Sequence, residues 1–113
     1  MSADPRMGRV MRMVAMRVAS CAGFTVDRVD DVAMATSEAF TVVRSGGATR
    51  ADIELSTDPA GGLTVALTSD GSVSTGTDPA IDPLTDRVLR SVTDDVSYGQ
   101  DPLTVRFRID HRE

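Results

Sequence analysis

The apolar residues of this chain change their spacing at about residue 45, and that change restricts the folds open to it. Before that point they recur every three or four residues, the period of a helix. From Arg50 onward they alternate, the period of a strand. Asp4-Pro5 predicts the start of a first helix, with a capping carboxylate followed by a proline whose φ is already helical. Met7, Val10, Met11, Val14, Val18 and Cys21 or Ala22 then share one face as far as a stop at Gly23. A second helix is expected over Asp27–Ser45, capped by Thr25 or Asp27. Its core stripe reads Val29, Val32, Ala33, Thr36, Ala39, Phe40 and Val43. Measured from Val29, Glu38 and Val42 stand together on the opposite side, away from the core.

Ser45-Gly46-Gly47 closes that helix. Arg50–Thr57 alternates Ala51, Ile53 and Leu55, and Leu63–Thr68 alternates Leu63, Val65 and Leu67. Asp58-Pro59-Ala60-Gly61-Gly62 between them has the length and composition of a hairpin connection. Ser69–Asp82 is a loop rich in Gly, Ser, Thr and Asp. A third helix, Pro83–Asp95, is expected to bury Leu84, Val88, Leu89 and Val92. A short strand at Val96–Tyr98, a turn at Gly99–Pro102 and the alternating strand Leu103–Ile109 follow. No segment reads as a linker, so the 113 residues are taken as one domain, 1–113. The order α-α-β-β-α-β-β predicts an α+β fold, a two-layer α/β sandwich whose mostly antiparallel sheet carries its helices on one face.

Composition removes several functions. A hydrophobic share of 41% beside 26% charged residues suits a packed core rather than a disordered chain. A net charge of −5 disfavours general nucleic-acid binding, which depends on cationic contacts to phosphate. No apolar run approaches the ~20 residues of a membrane-spanning helix. The arginines near the start are spread through an amphipathic stretch, so no signal peptide is expected. The single Cys21 allows no internal disulfide and suits a reducing cytoplasm, and it is read as a small buried hydrophobe. One Cys and one His are too few ligands for a zinc site. His111, the only base for a Ser/His/Asp hydrolase, falls in Asp110-His111-Arg112-Glu113, which is read as a solvated terminus. Asp70, Asp78 and Asp82 share one loop, but their spacing fits no calcium loop and a turn-rich connector is expected. On the polar side of the first helix Arg6, Arg9, Arg12 and Arg17 surround Met13 and Met16. This face is either a docking surface or a solvated one with stray apolar residues.

The string Asp27–Ser45, DRVDDVAMATSEAFTVVRS, resembles a helix of the GHKL ATPase superfamily, which includes the histidine kinases. The likeness is nearest to the small bacterial anti-sigma-factor serine kinases. There a Ser-Glu-Ala-x-Thr-Asn-Ala stretch supplies a Glu that acts as base and an Asn that holds magnesium on ATP. Ser37, Glu38, Ala39 and Thr41 match. Val42 stands at the Asn position, and the chain has no asparagine or lysine to replace it. A hydrocarbon there cannot orient magnesium, which needs oxygen ligands. Arg12 occupies the place of a family Arg that contacts both the sigma factor and the anti-anti-sigma protein. Gly23-Phe24 with Asp27 and Asp30-Asp31-Val32 resembles the family's connector into its second helix. Asp94-Asp95-Val96 matches its helix-to-strand ending.

The resemblance covers about Val10 to Ile109 and implies a shortened histidine-kinase-like ATPase fold. The family's Asp-x-Gly-x-Gly, whose Asp reads adenine, aligns in one of two ways. Ser69 replaces that Asp and Gly71 is kept, or a shift by one restores Asp70 and loses Gly71; Val73 takes the place of the second Gly. The later Gly-x-Gly-Leu becomes Pro83-Leu84-Thr85-Asp86. Both glycines that would open backbone N–H groups to phosphate are replaced, and Pro83 also removes a donor. The family begins with a strand for which Met1–Asp4 is too short, so a sheet edge is expected to be left for a partner or a loop to cover.

Metal holder, adenine reader and phosphate cradle have changed together. The resemblance therefore implies an anti-sigma-factor-like regulatory protein, a pseudokinase of the stress-response type with no cofactor, metal or catalytic residue. It would bind a sigma factor or an anti-anti-sigma protein through Arg9, Arg12, Met13 and Met16, as a cytoplasmic dimer. The alternative is an active serine kinase that uses Mg-ATP through altered contacts, with Glu38 as base and Asp70 near adenine. A third reading is a scaffold or heterodimer partner of an active paralogue.

Overall fold

The computed structural model describes residues 4–45, 47, 49–70, 82–100 and 102–111. Helix α1 spans Pro5–Cys21 and α2 spans Val26–Ser45. Strands β1 (Ala51–Thr57) and β2 (Gly62–Ser69) follow, then α3 (Pro83–Val92), β3 (Asp95–Gln100) and β4 (Leu103–Asp110). The Asp4 carboxylate caps α1 by accepting from the Arg6 N–H at 2.8 Å, with Pro5 in the first turn. The helix ends in two reversed bonds, Phe24 N–H to the Ala19 carbonyl at 3.1 Å and Gly23 N–H to that of Ser20 at 3.2 Å. This ending requires a residue at positive φ, and Gly23 supplies it at +88°. Phe24, buried just beyond, turns the chain straight into α2, where Thr25 Oγ1 accepts from the Arg28 N–H at 3.2 Å.

The four strands form one antiparallel sheet in the order β1-β2-β4-β3. In β4, Leu103, Val105, Phe107 and Ile109 are buried while the residues between them are not, so one face of the sheet carries the core. Val65 faces Phe107 across one side of β4, and Phe107 faces Val96 across the other. Helix α2 lies over β2 and β4, with α1 and α3 on either flank. The fold is therefore α+β, a two-layer sandwich with an antiparallel sheet, as the order of elements predicts.

Side-chain placement departs from the periodic reading at particular positions. Val10 and Val14 remain 38% and 39% exposed, whereas Ala15 and Ala19 are fully buried. The buried stripe of α1 instead runs through Met11, Ala15 and Ala19, and near Gly8 the two helices approach so closely that a Cβ there would lie 2.7 Å from Phe40 Cδ2. Cys21 is exposed rather than buried. In α3, Leu84 is 67% exposed because the helix presents Leu89, with Val92 packed beside it, to the core instead; Val88 is half-buried. That helix stops at Val92, where Thr93 turns extended at φ −119°, ψ 158°, and β3 begins two residues later. His111 is half-buried, its ring tilted against Phe24 at 6.3 Å between centroids, rather than a free terminus.

Candidate functional site

Among the described residues, the positions that would make a nucleotide site have different surroundings. Val42 is 7% exposed and belongs to the hydrophobic core. This overturns its expected position on an outer face beside Glu38. The physical reason is the width of the buried arc: Ala35 and Ala39 are both fully buried, and Val42 lies two helical turns beyond Ala35 on the same side. Glu38 points the other way, into a depression of about 310 Å³ that it shares with Arg12, Asp30, Ala33, Met34 and Ser37. Ser69 is buried at the end of β2. The Asp70 carboxylate accepts from the Thr49 hydroxyl at 2.6 Å, and its N–H donates to the Arg50 carbonyl at 3.1 Å. Pro83 and Thr85 form the first turn of α3, where the Asp82 carboxylate already accepts from the Leu84 N–H at 3.0 Å. Gly71, Val73 and Asp78 lie outside the described residues.

Of the four proposed docking residues, Arg9 and Arg12 lie along the seam between α1 and α2. Arg9 and Arg12 border a groove of about 260 Å³ with Pro5, Gly8, Ser37, Phe40 and Thr41. Gly8 shapes its floor, since a side chain there would meet the Phe40 ring. Neither Arg9 nor Arg12 forms an ion pair among the described residues. The Thr41 hydroxyl donates back to the Ser37 carbonyl at 3.1 Å, which keeps it against its own helix. Met13 is 62% exposed on the outer side of α1, and Met16 is half-buried. The structure thus brings Arg9 and Arg12 to one groove and leaves Met13 outside its lining.

Charged groups elsewhere are engaged. Arg28, with only 14% of its side chain exposed, reaches Asp31 at 3.3 Å and Asp94 at 3.1 Å. Asp94 Oδ2 also accepts from the Asp110 N–H at 2.8 Å, so one carboxylate joins α2, the end of α3 and β4. Asp86 accepts from the Tyr98 hydroxyl at 2.7 Å and from Arg90 at 2.9 Å. These two donors, the hydroxyl first, hold its carboxyl below the usual range. Burial, helped by that carboxylate, pushes the Tyr98 hydroxyl above its ordinary value. The Gly62 N–H and Arg108 lower Asp58 in the same way at the hairpin. The pairs Arg28–Asp94, Tyr98–Asp86 and Arg108–Asp58 escape a sequence reading because they join residues far apart in the chain; Arg28–Asp31 and Asp86–Arg90 stand at helical spacing.

Among the described residues no helix is long and apolar enough to cross a membrane, and no three potential metal ligands gather. No protein-family model matches the chain, and a search of curated proteins returns no match.

Proposed function

We propose that this chain is an anti-sigma-factor-like regulatory domain of the cytoplasm that binds a sigma factor or an anti-anti-sigma protein without using ATP. The observation that carries the reading is the contrast between Val42, sealed in the core, and Arg9 and Arg12, which line an open groove without an ion pair among the described residues. A magnesium triphosphate requires an oxygen ligand where the core has taken in a valine, and free amides at a helix start that Asp82 already caps. Two neighbouring guanidinium groups suit recognition of another protein, since arginine is enriched at interfaces and holds carboxylates in fixed geometry. Release would follow exchange of partners rather than phosphorylation. Dimerisation belongs to the same reading.

Glu38 favours the kinase alternative, because its carboxylate is accessible and has no ion pair among the described residues. Calorimetry with Mg-ATP separates the two. The binding-module reading expects no heat of binding, and an affinity tighter than high micromolar would overturn it. The companion test is Arg12→Glu, which is expected to abolish capture of the cognate sigma or anti-anti-sigma protein while leaving Tm within a degree or two. Capture that survives the charge reversal removes Arg12 from the interface.

A further inference from the structure

Strand β1 lies at one edge of the sheet, and two bonds fix which way its backbone faces. The Asp58 N–H donates to the Gly62 carbonyl at 3.0 Å, and the Asp70 N–H donates to that of Arg50 at 3.1 Å. Between these ends the register with β2 is unbroken from Ala51 to Thr57. Even-numbered residues therefore direct their N–H and C=O groups to β2. Ile53 and Leu55 direct theirs outward, where no strand lies among the described residues. Their side chains face the core yet stay half-buried. Asp52 and Glu54 are exposed on the opposite face, and neither has an ion pair among the described residues. Helix α1 touches β1, and its flank turned from α2 lies on the side of this open edge. Gly8 and Arg12 face α2; Val10 and Val14, each two residues further and so about 200° round, are the pair left 38% and 39% exposed.

We infer that the β1 edge takes up an extended segment of another protein in which apolar and cationic side chains alternate. Its backbone pairs with the outward N–H and C=O groups of Ile53 and Leu55. Its apolar side chains fill the space beside Ile53, Leu55, Val10 and Val14. Its cationic ones fall on the opposite face, across from Asp52 and Glu54, at the spacing that strand pairing gives. A second copy of this chain fits badly. Outward residues must pair with outward residues, so two antiparallel β1 strands meet centred on Ile53, Glu54 or Leu55. These registers set Glu54 against Asp52, Glu54 against Glu54, and Asp52 against Asp58, and like charges directly opposite destabilise a pair. The surface lies on the other flank of α1 from the Arg9–Arg12 groove and does not depend on the docking reading.

The test is NMR of the isotopically labelled full chain with the blocked peptide Thr-Val-Arg-Val-Arg-Val-Thr. A second peptide, Thr-Val-Glu-Val-Glu-Val-Thr, reverses both charges. With the cationic peptide at about ten times its Kd, hydrogen exchange at the Ile53 and Leu55 amides is expected to slow about ten-fold. The Asp52 and Glu54 amides, already bonded to β2, should change little. The acidic peptide should bind this edge about ten-fold more weakly, the effect of reversing two cross-strand charge pairs. Asp52→Asn with Glu54→Gln, both on the exposed face, should make the two peptides equal there. The inference is overturned if the cationic peptide does not bind, if it binds and leaves the two amides unprotected, or if both peptides bind the unaltered chain equally. A preference that survives in the double variant overturns it as well. Protection of the same amides on concentrating the chain alone would assign the edge to a second copy instead. None of these outcomes touches the docking reading, which falls only if Arg12→Glu fails to prevent partner capture.

Discussion

Around α3 several charged groups are held within the protein: Asp86 holds Tyr98 and Arg90, and Asp94 holds Arg28 and the Asp110 amide. Along the α1–α2 seam, Arg9, Arg12, Asp30 and Glu38 have no ion pair among the described residues. Exposed charges of either kind add little to stability, so folding alone does not explain the difference. It separates groups that fix the relation of one element to another from groups that stay hydrated and can exchange water for a second molecule. The residues which resemble a catalytic site fall mostly on the first side of that division. Val42 is core, Ser69 is buried, and Asp70 is held by Thr49.

The sharpest way to break the comparison is Val42→Asn, which restores the amide that the resemblance expects. Placed in the core it is expected to cost about 2–3 kcal/mol, because a buried amide must find partners among hydrocarbon neighbours. Urea unfolding would read that loss, and calorimetry of the same variant should still show no Mg-ATP binding. A stable variant that gained nucleotide affinity would place the pocket where Val42 now packs.

A smaller effect is expected for Gly8→Ala. Alanine favours the helix, yet its Cβ would press on the Phe40 ring at 2.7 Å. Overpacking outweighs propensity, giving a net loss of about 1 kcal/mol. The same change widens the seam, so partner capture through the Arg9–Arg12 groove should weaken together with the melting temperature. Stabilisation by this variant would show that the helices part at no cost.

The least effect belongs to Tyr98→Phe, and its signature is in pH rather than in magnitude. The folded Asp86 carboxyl lies below its ordinary value of 3.8, so its share of stability is present above that value and lost as pH falls through the lowered one. The folded Tyr98 hydroxyl lies above 10.0, so its share is present below that pH and lost as pH rises towards the raised value. Removing the hydroxyl should shrink the acid loss and abolish this alkaline loss, both read from urea midpoints across pH. Unchanged profiles would mean that the Tyr98–Asp86 bond is not kept in solution.

Local signals carried most of the architecture. Asp4-Pro5, Gly23 and Asp82-Pro83 mark helix ends that the structure has, and the alternation of Leu103–Ile109 correctly marks a half-buried strand. What failed was the assignment of faces on the helices. Periodicity alone places Val10 and Val14 in the core with Met11, whereas the buried stripe runs through Met11, Ala15 and Ala19 and leaves both valines at its border. Val42 was read as outward because the stripe was centred on Val29; the arc is wider, since α2 is flanked on both sides. The pairing of Arg28 with Asp94, and of Tyr98 with Asp86, depends on how elements dock, which no window of neighbouring residues encodes. The Arg9–Arg12 end of the groove could be named from the sequence. The carboxylates of the neighbouring depression could not, because the resemblance groups Glu38 with Val42 as a remnant of catalysis.

The order β1-β2-β4-β3 places the last strand of the described sheet inside it, between two strands that a ribosome makes earlier. During synthesis β2 can pair with β1 at once, but Val65 and Leu67 lack a second neighbour until Val105 and Phe107 emerge. The helical hairpin that carries the Arg9–Arg12 groove relies on local contacts and can form well before that. A nascent chain would therefore offer its binding helices while its sheet is still open. Any early visitor to those helices meets a molecule whose apolar layer has not yet closed.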